Sequence, residues 1–274
     1  ISKAERGYRL FDAGSFSLRL EQPRWQADTP VDQVIAELVG QLLGRVQRLA
    51  EQYRYARQWK LFRELTTAMA QLRACFGVFD LALPRSAASP FVAPLDALLA
   101  AFQPLVLAGW ADDADGEAAR REAESVFDQQ LGGTAWGALF VELALWLLEQ
   151  RWTLNRPPRG DKIAALPLER WLLAACGKEI QELRVPHNND PEHRVSEWLD
   201  QLPRLGRLQL LLGHFRAFVQ VPEPDRLFGE LNKLQALLEQ YPQVAEEQRE
   251  LLLDALRKQG VRVRRLNGWR ALNG

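Results

Sequence analysis

The chain has little that commits it to chemistry. It carries no excess charge of either sign: Lys plus Arg and Asp plus Glu are 35 each in 274 residues, so the formal net charge is zero. Long-range attraction to nucleic acid or phosphate usually needs a more basic protein, so any anion site here is a local patch and not a global field. There are only two cysteines, Cys75 and Cys176. Both lie in apolar helical stretches and read as buried free thiols, which is the pattern of a reducing, cytoplasmic compartment. Long hydrophobic runs are missing too. Residues 95–110 are interrupted by Asp96, Gln103 and Pro104, and residues 136–148 by Glu142, so both fall short of a span of roughly 20 apolar residues. The start of the chain has no signal-peptide pattern. It opens on Ile1 without a methionine, as a fragment of a longer protein would.

Catalytic signatures are equally scarce. Gly132-Gly133-Thr134 lacks the Gly-Lys-Ser/Thr ending and preceding strand of a phosphate loop. There is no Gly-x-Ser-x-Gly elbow, no His-Glu-x-x-His, and no carboxylate pair that stands apart from the surface acids. His187, Asp190 and His193 share a loop, but no fourth ligand is evident for a metal. His214 sits among leucines as a helix-surface or core residue. The tryptophans, Trp59, Trp136, Trp146, Trp152 and Trp171 among them, fall mostly on apolar faces and read as packing groups. Neither a recognition helix nor an aromatic platform for nucleic acid is visible.

What is present is helical periodicity. An apolar fraction of 47 % and a charged fraction of 26 % are ordinary for a globular protein of this length, with a substantial core. Thr29-Pro30-Val31-Asp32 is a helix start, with Thr29 as cap, Pro30 at the first helical position and Asp32 against the positive end. Val31, Ile35, Leu38, Leu42, Val46, Leu49 and Tyr53 then recur every three or four residues, and Phe62, Leu65, Met69, Leu72, Phe76 and Phe79 keep the period. Residues 45–76 contain no Gly or Pro, so the polar segment 51–58 is the turn between two long helices, closed at Pro84. Further helices are predicted over 94–110, 117–130, 134–152, 166–183, 195–218 (kinked or restarted at Pro203), 225–240 and 244–259. The pattern is all-α, with eight to ten helices joined by short connections into bundles and with an order of elements that appears twice. Residues 1–26 are unlike the rest, with alternation over 15–20 and a break at Pro23. They read as the tail of a preceding unit plus a linker. After Asp254 the chain has six basic residues and no acid, and residues 263–274 form a basic tail.

The basic residues along the two long helices are the candidate site. Arg45, Arg48, Arg54, Arg57, Lys60, Arg63 and Arg73 line residues 31–79, and Arg204, Arg207 and Arg216 line residues 195–218. At about 100° per residue Lys60 and Arg63 lie about 60° apart, opposite the apolar face, with Arg73 about 80° from Arg63. Guanidinium and ammonium groups in a row on a rigid helix suit phosphate oxygens. A solvated face paired with Glu51 and Glu64 is the competing reading.

Several stretches resemble a known family. Gln71-Leu72-Arg73-Ala74-Cys75-Phe76-Gly77-Val78-Phe79 resembles the signature helix of the CHAD domain, and Leu202-Pro203-Arg204-Leu205-Gly206-Arg207 resembles the matching helix of its second half. Leu227-Phe228-Gly229-Glu230-Leu231-Asn232 is similar to the Leu-Gly-x-Leu-Asn stretch near its end. Ile1-Ser2-Lys3-Ala4-Glu5-Arg6-Gly7-Tyr8-Arg9-Leu10 resembles the closing segment of a CYTH triphosphate-tunnel domain, as in bacterial CYTH–CHAD inorganic triphosphatases. The resemblance implies two four-helix bundles related by an internal pseudo-twofold, over residues 27–262. It implies inorganic polyphosphate, or another polyanion, as ligand of Arg45, Lys60, Arg63, Arg73, Arg204 and Arg207. It also implies a CYTH domain upstream in cis as partner. A divalent metal, Mg or Mn, is expected for that domain, and no cofactor, nucleic acid or membrane for this chain.

The Glu-x-Glu-x-Lys strand of CYTH catalysis is absent here, so this chain alone is not expected to hydrolyse triphosphate, and Lys3 is the one residue the resemblance would set in the tunnel. CHAD domains use histidines as well as basic side chains. Here the first histidine position holds Arg63, the next basic positions hold Thr66 and Ala70, and Arg73 matches directly. In the second half the histidine position is Glu197 in one register and Gln201 in the other. A structural or protein-interaction domain with a degenerate anion site therefore stands as an alternative. So does a fragment of a metal-dependent triphosphatase.

Overall fold

The computed structural model describes residues 25–109, 114–131, 133–183, 196–219, 223–241 and 246–266. The CYTH-like opening with Lys3, the His187, Asp190 and His193 loop, and the tail beyond Leu266 lie outside them. Every regular element among the described residues is helical, as the periodicity predicts. The chain divides into two compact units. Among the described residues, the first holds Trp25 and residues 30–165, and the second holds residues 166–266 together with Gln26–Thr29.

In the first unit the helices are α1 (Val31–Ala56), α2 (Trp59–Val78), α3 (Arg85–Ala108), α4 (Ala114–Leu131), α5 (Thr134–Leu148) and α6 (Pro158–Ala164), with a 3-10 turn at Arg151–Thr153. Helices α1 to α4 pack neighbour on neighbour in chain order, and α5 lies against α1 and α4. One aromatic from each of the four helices meets in the core. Tyr53 of α1 lies 5.3 Å from Phe62 of α2 and 4.7 Å from Phe127 of α4, and Phe62 lies 5.2 Å from Phe102 of α3 (ring centroids). A second cluster joins Phe76, Phe91, Trp146 and Trp152. Trp146, Trp152 and Trp171 are buried packing residues, as their positions on apolar faces suggest.

In the second unit α7 (Leu168–Gln181), α8 (Leu202–His214), α9 (Pro224–Gln240) and α10 (Glu246–Leu266) also pack in chain order. The segment Gln26–Thr29 serves α7. The amides of Leu168 and Glu169 donate to the carbonyls of Thr29 (2.9 Å) and Ala27 (3.0 Å). Two amides that a helix start leaves without intrahelical partners are thereby satisfied.

The structure corrects several sequence readings. Helix α1 begins at Val31, with Pro30 as its N-cap residue and no side-chain cap. Thr29 does not cap it, because the Thr29 hydroxyl instead accepts from the amide of Gln26 (2.9 Å). Asp32 meets the helix start as expected, and it also accepts from Trp152 Nε1 (2.7 Å) and Arg156 Nη2 (2.6 Å). Helix α3 starts at Arg85 and carries Pro90, Pro94 and Pro104 inside it. An interior proline removes a helix hydrogen bond, but burial of Phe91, Leu95, Leu98, Leu99 and Phe102 holds the helix across these sites. Its Arg85–Val106 stretch is long and apolar enough to pass as a membrane span by length and composition. Here it packs as a bundle helix against α2 and α4. Of the helix predicted over 195–218, the described residues are helical at 196–199 and again in α8, with Pro203 in the first turn of α8. Helix α10 continues to Leu266, past the boundary drawn at residue 262.

Candidate anion-binding seam

The site is set by a tight reversal between α1 and α2. Arg57 takes the left-handed conformation (φ 51°) and its amide donates to the Tyr53 carbonyl, ending α1. Its side chain is tied down as well. Nη2 donates to Asp128 (2.7 Å) and the guanidinium lies over the rings of Tyr53 and Phe127. The reversal lays α2 antiparallel along α1, and Arg45 Nη1 donates to Gln71 Oε1 (3.3 Å) across the pair. With position 45 opposite 71, helical geometry sets two polar stripes face to face: Gln41, Arg45, Arg48 and Gln52 on α1, and Lys60, Arg63, Glu64, Thr67 and Gln71 on α2.

Two of the cations along this seam, Arg45 and Arg48, have no carboxylate partner among the described residues. Arg45 is half-buried, and its strongest contact is a neutral amide. Burial lowers its guanidinium below the usual range. Glu64 opposes that shift and the neighbouring Arg48 adds to it. The buried Nε of Arg45 has no hydrogen-bond partner. Arg48 is exposed, and its guanidinium is folded back so that Nη1 lies 3.4 Å from where a Cβ on Gly44 would stand. Among the described residues no carboxylate lies within ion-pair distance of Arg45 or Arg48. Lys60 is exposed and reaches Glu64 only at 3.9 Å. Arg63 is half-buried, and burial lowers it too, with Glu64 acting against the shift. The seam thus holds four cations and one acid. The three glutamines that line it are the residues a reading of the charges alone passes over. The signal for them is a spacing of four residues along each stripe, Gln41 from Arg45, Gln52 from Arg48 and Gln71 from Thr67.

The other sequence-predicted cations are placed differently. Arg73 leaves the seam for the α3 side, where Nε pairs with Asp96 at 2.7 Å. In the second unit, the seam between α7 and α8 also carries residues at a spacing of three, but the charges there cancel. Glu179, only 6 % exposed, accepts from Arg207 Nε (2.7 Å) and Nη2 (3.0 Å) and lies 3.3 Å from Arg204 Nε. Glu182 takes Arg204 through its carboxylate and its carbonyl, both at 2.7 Å. Two acids hold two guanidiniums. Sequence reasoning on α8 alone missed them because the acids lie on α7, more than twenty residues earlier. Of the two histidine-equivalent positions, Glu197 gives its carbonyl to Gln201 Nε2 (3.2 Å), and Gln201 is buried. Cys75 and Cys176 are both free and buried. Burial pushes both thiols up, Cys176 to about 12 with a further push from Glu179.

No family model matches the chain, and no curated protein matches it. Among solved structures it is similar to the crystal structure of the CHAD domain from the plant Ricinus communis, with a TM-score of 0.52 at 14 % identity over 93 % of each chain. At that identity the likeness is one of fold, and it runs the length of both chains: this is an all-α protein with the fold of a CHAD domain.

Proposed function

We propose that this CHAD-type domain binds inorganic polyphosphate, or a polyanion like it, in the seam between α1 and α2. The reading rests on one observation: Arg45 and Arg48 stand side by side with no carboxylate of the described residues in ion-pair distance, although the α7–α8 seam engages both of its guanidiniums with Glu179 and Glu182. Two adjacent cations that repel each other, one of them desolvated beside a neutral amide, gain by taking an anion between them. Lys60 and Arg63 extend the same stripe. Arg73, Arg204 and Arg207 have carboxylate partners that an incoming phosphate would have to displace. In this reading the domain is a cytoplasmic accessory to an upstream CYTH triphosphatase, and hydrolysis with its divalent metal belongs to that domain.

The test is calorimetric titration of the chain with long-chain polyphosphate at two salt concentrations, repeated with Arg45→Glu plus Arg48→Glu. Tight binding that weakens with salt and is lost in the double variant is the expected result. Absence of heat at low salt would sink the reading. In that case a structural or protein-interaction role is the better account. The carboxylate pairing of Arg73, Arg204 and Arg207 is the observation that favours it.

A further inference from the structure

We infer that the ligand site is a single short track, which takes an oligophosphate of about six units through four cations. This rests on the polyphosphate reading of the α1–α2 seam and gives that reading a length. The Arg45–Gln71 contact fixes the register of the two helices. Going along the seam, Arg45 comes first and Arg48 one turn later. Arg63 then lies level with position 53, and Lys60 level with position 56. The track from Arg45 to that level is about 16 Å at about 1.5 Å per residue, and a phosphoanhydride chain advancing roughly 3 Å per unit covers it with about six phosphates.

The track ends at both sides for physical reasons. Beyond Lys60 the chain reverses at Arg57, whose guanidinium is already committed to Asp128 and to two aromatic rings. Beyond Arg45 the stripe continues as Gln41, a neutral residue, and Arg73 points to Asp96 on another face. Glu64 sits inside the stripe and opposes the anion.

The experiment compares tripolyphosphate, hexaphosphate and a chain of roughly 60 units on the intact protein, with affinity measured across a series of salt concentrations. Each cation–phosphate contact contributes a slope of about −0.7 to log K against log salt for a flexible single-chain polyanion, so a four-cation track gives about −3. The expected result is a gain of at least about tenfold from tri- to hexaphosphate, and the same slope for hexaphosphate and the long chain. The long chain then gains only the statistical factor for the number of places the track can sit on it. Lys60→Gln, at an exposed position at the end of the track, should weaken hexaphosphate about tenfold and leave tripolyphosphate within about twofold. A slope for the long chain near twice that for hexaphosphate would overturn the short-track inference, as would equal loss of both short ligands in Lys60→Gln. Neither outcome touches the polyphosphate reading itself. Failure of every length to bind at low salt overturns that reading instead.

Discussion

Arg45 and Glu179 each face a neighbouring helix, Arg45 from the middle of α1 and Glu179 from the last turn of α7, and they are opposite in energetic character. Arg45 is desolvated beside Gln71, with a buried Nε that nothing accepts. Removing such a charge relieves a cost, so Arg45→Met, which keeps the aliphatic stem, should leave stability unchanged or raise it by up to about 1 kcal/mol while weakening anion binding. Urea denaturation and calorimetry on the same variant check both halves, and a loss above about 1 kcal/mol would show that Arg45 is held by more than the seam provides. Glu179 is buried and shared by two guanidiniums. Glu179→Gln leaves Arg207 without its charge partner and Arg204 with Glu182 alone. The arginines are about a quarter exposed and water recovers part of the loss, so the expected cost is about 2 kcal/mol. The contrast between the two variants separates a cation kept for binding from an acid kept for folding.

At the level of elements, the packing of the end of α3 against α2 and α4 depends on one small residue as well as on the apolar stripes. Gly109 follows α3, and a Cβ there would stand 2.2 Å from the Trp59 ring. That ring is stacked on Phe62 at 5.2 Å, and the Gly109 carbonyl accepts from Arg120 Nη1 of α4. Neither side can yield cheaply. Gly109→Ala should cost about 2 kcal/mol or more, read as a fall in the thermal midpoint, whereas the same change at Gly40, with no neighbour within 4 Å, should not destabilise. The helices themselves were legible from periodicity, because an apolar residue every third or fourth position has no other use. The length of α3 was not. Pro90 and Pro94 speak locally against a helix, and only the burial of Phe91, Leu95 and Leu98 between α2 and α4 outweighs them.

For the whole molecule, the buried acids that cannot ionise set the alkaline limit. Burial and the nearby Glu124 raise the Tyr53 hydroxyl from 10.0 to about 12, and burial raises Cys176 from 9.0 to about 12 and Cys75 further. Below about pH 9 these groups are protonated in both folded and unfolded chains, so their contribution is fully present. As pH rises from about 9 towards 12 the unfolded chain releases protons that the folded chain retains, and stability falls. The urea midpoint should therefore be insensitive to these groups up to about pH 9 and decline above it. Cys75→Ala with Cys176→Ala should flatten the first part of that decline, and an unchanged slope would contradict the burial of the thiols. Both thiols should also resist alkylation at pH 8 until the chain is unfolded.

The sequence by itself determined the helical class, the positions of most helices, the buried thiols and the packing role of the tryptophans, because each follows from local periodicity and residue chemistry. It also placed Lys60 and Arg63 on one face of α2, since a helix fixes angles along itself. Which cations act together was decided only by tertiary structure. Position 45 meets 71 because Arg57 makes a tight turn and is clamped to α4. Arg73 leaves the seam because Asp96 stands on α3. Arg204 and Arg207 are neutralised by acids on α7. Charge compensation is a through-space property, and one-dimensional spacing does not carry it across helices.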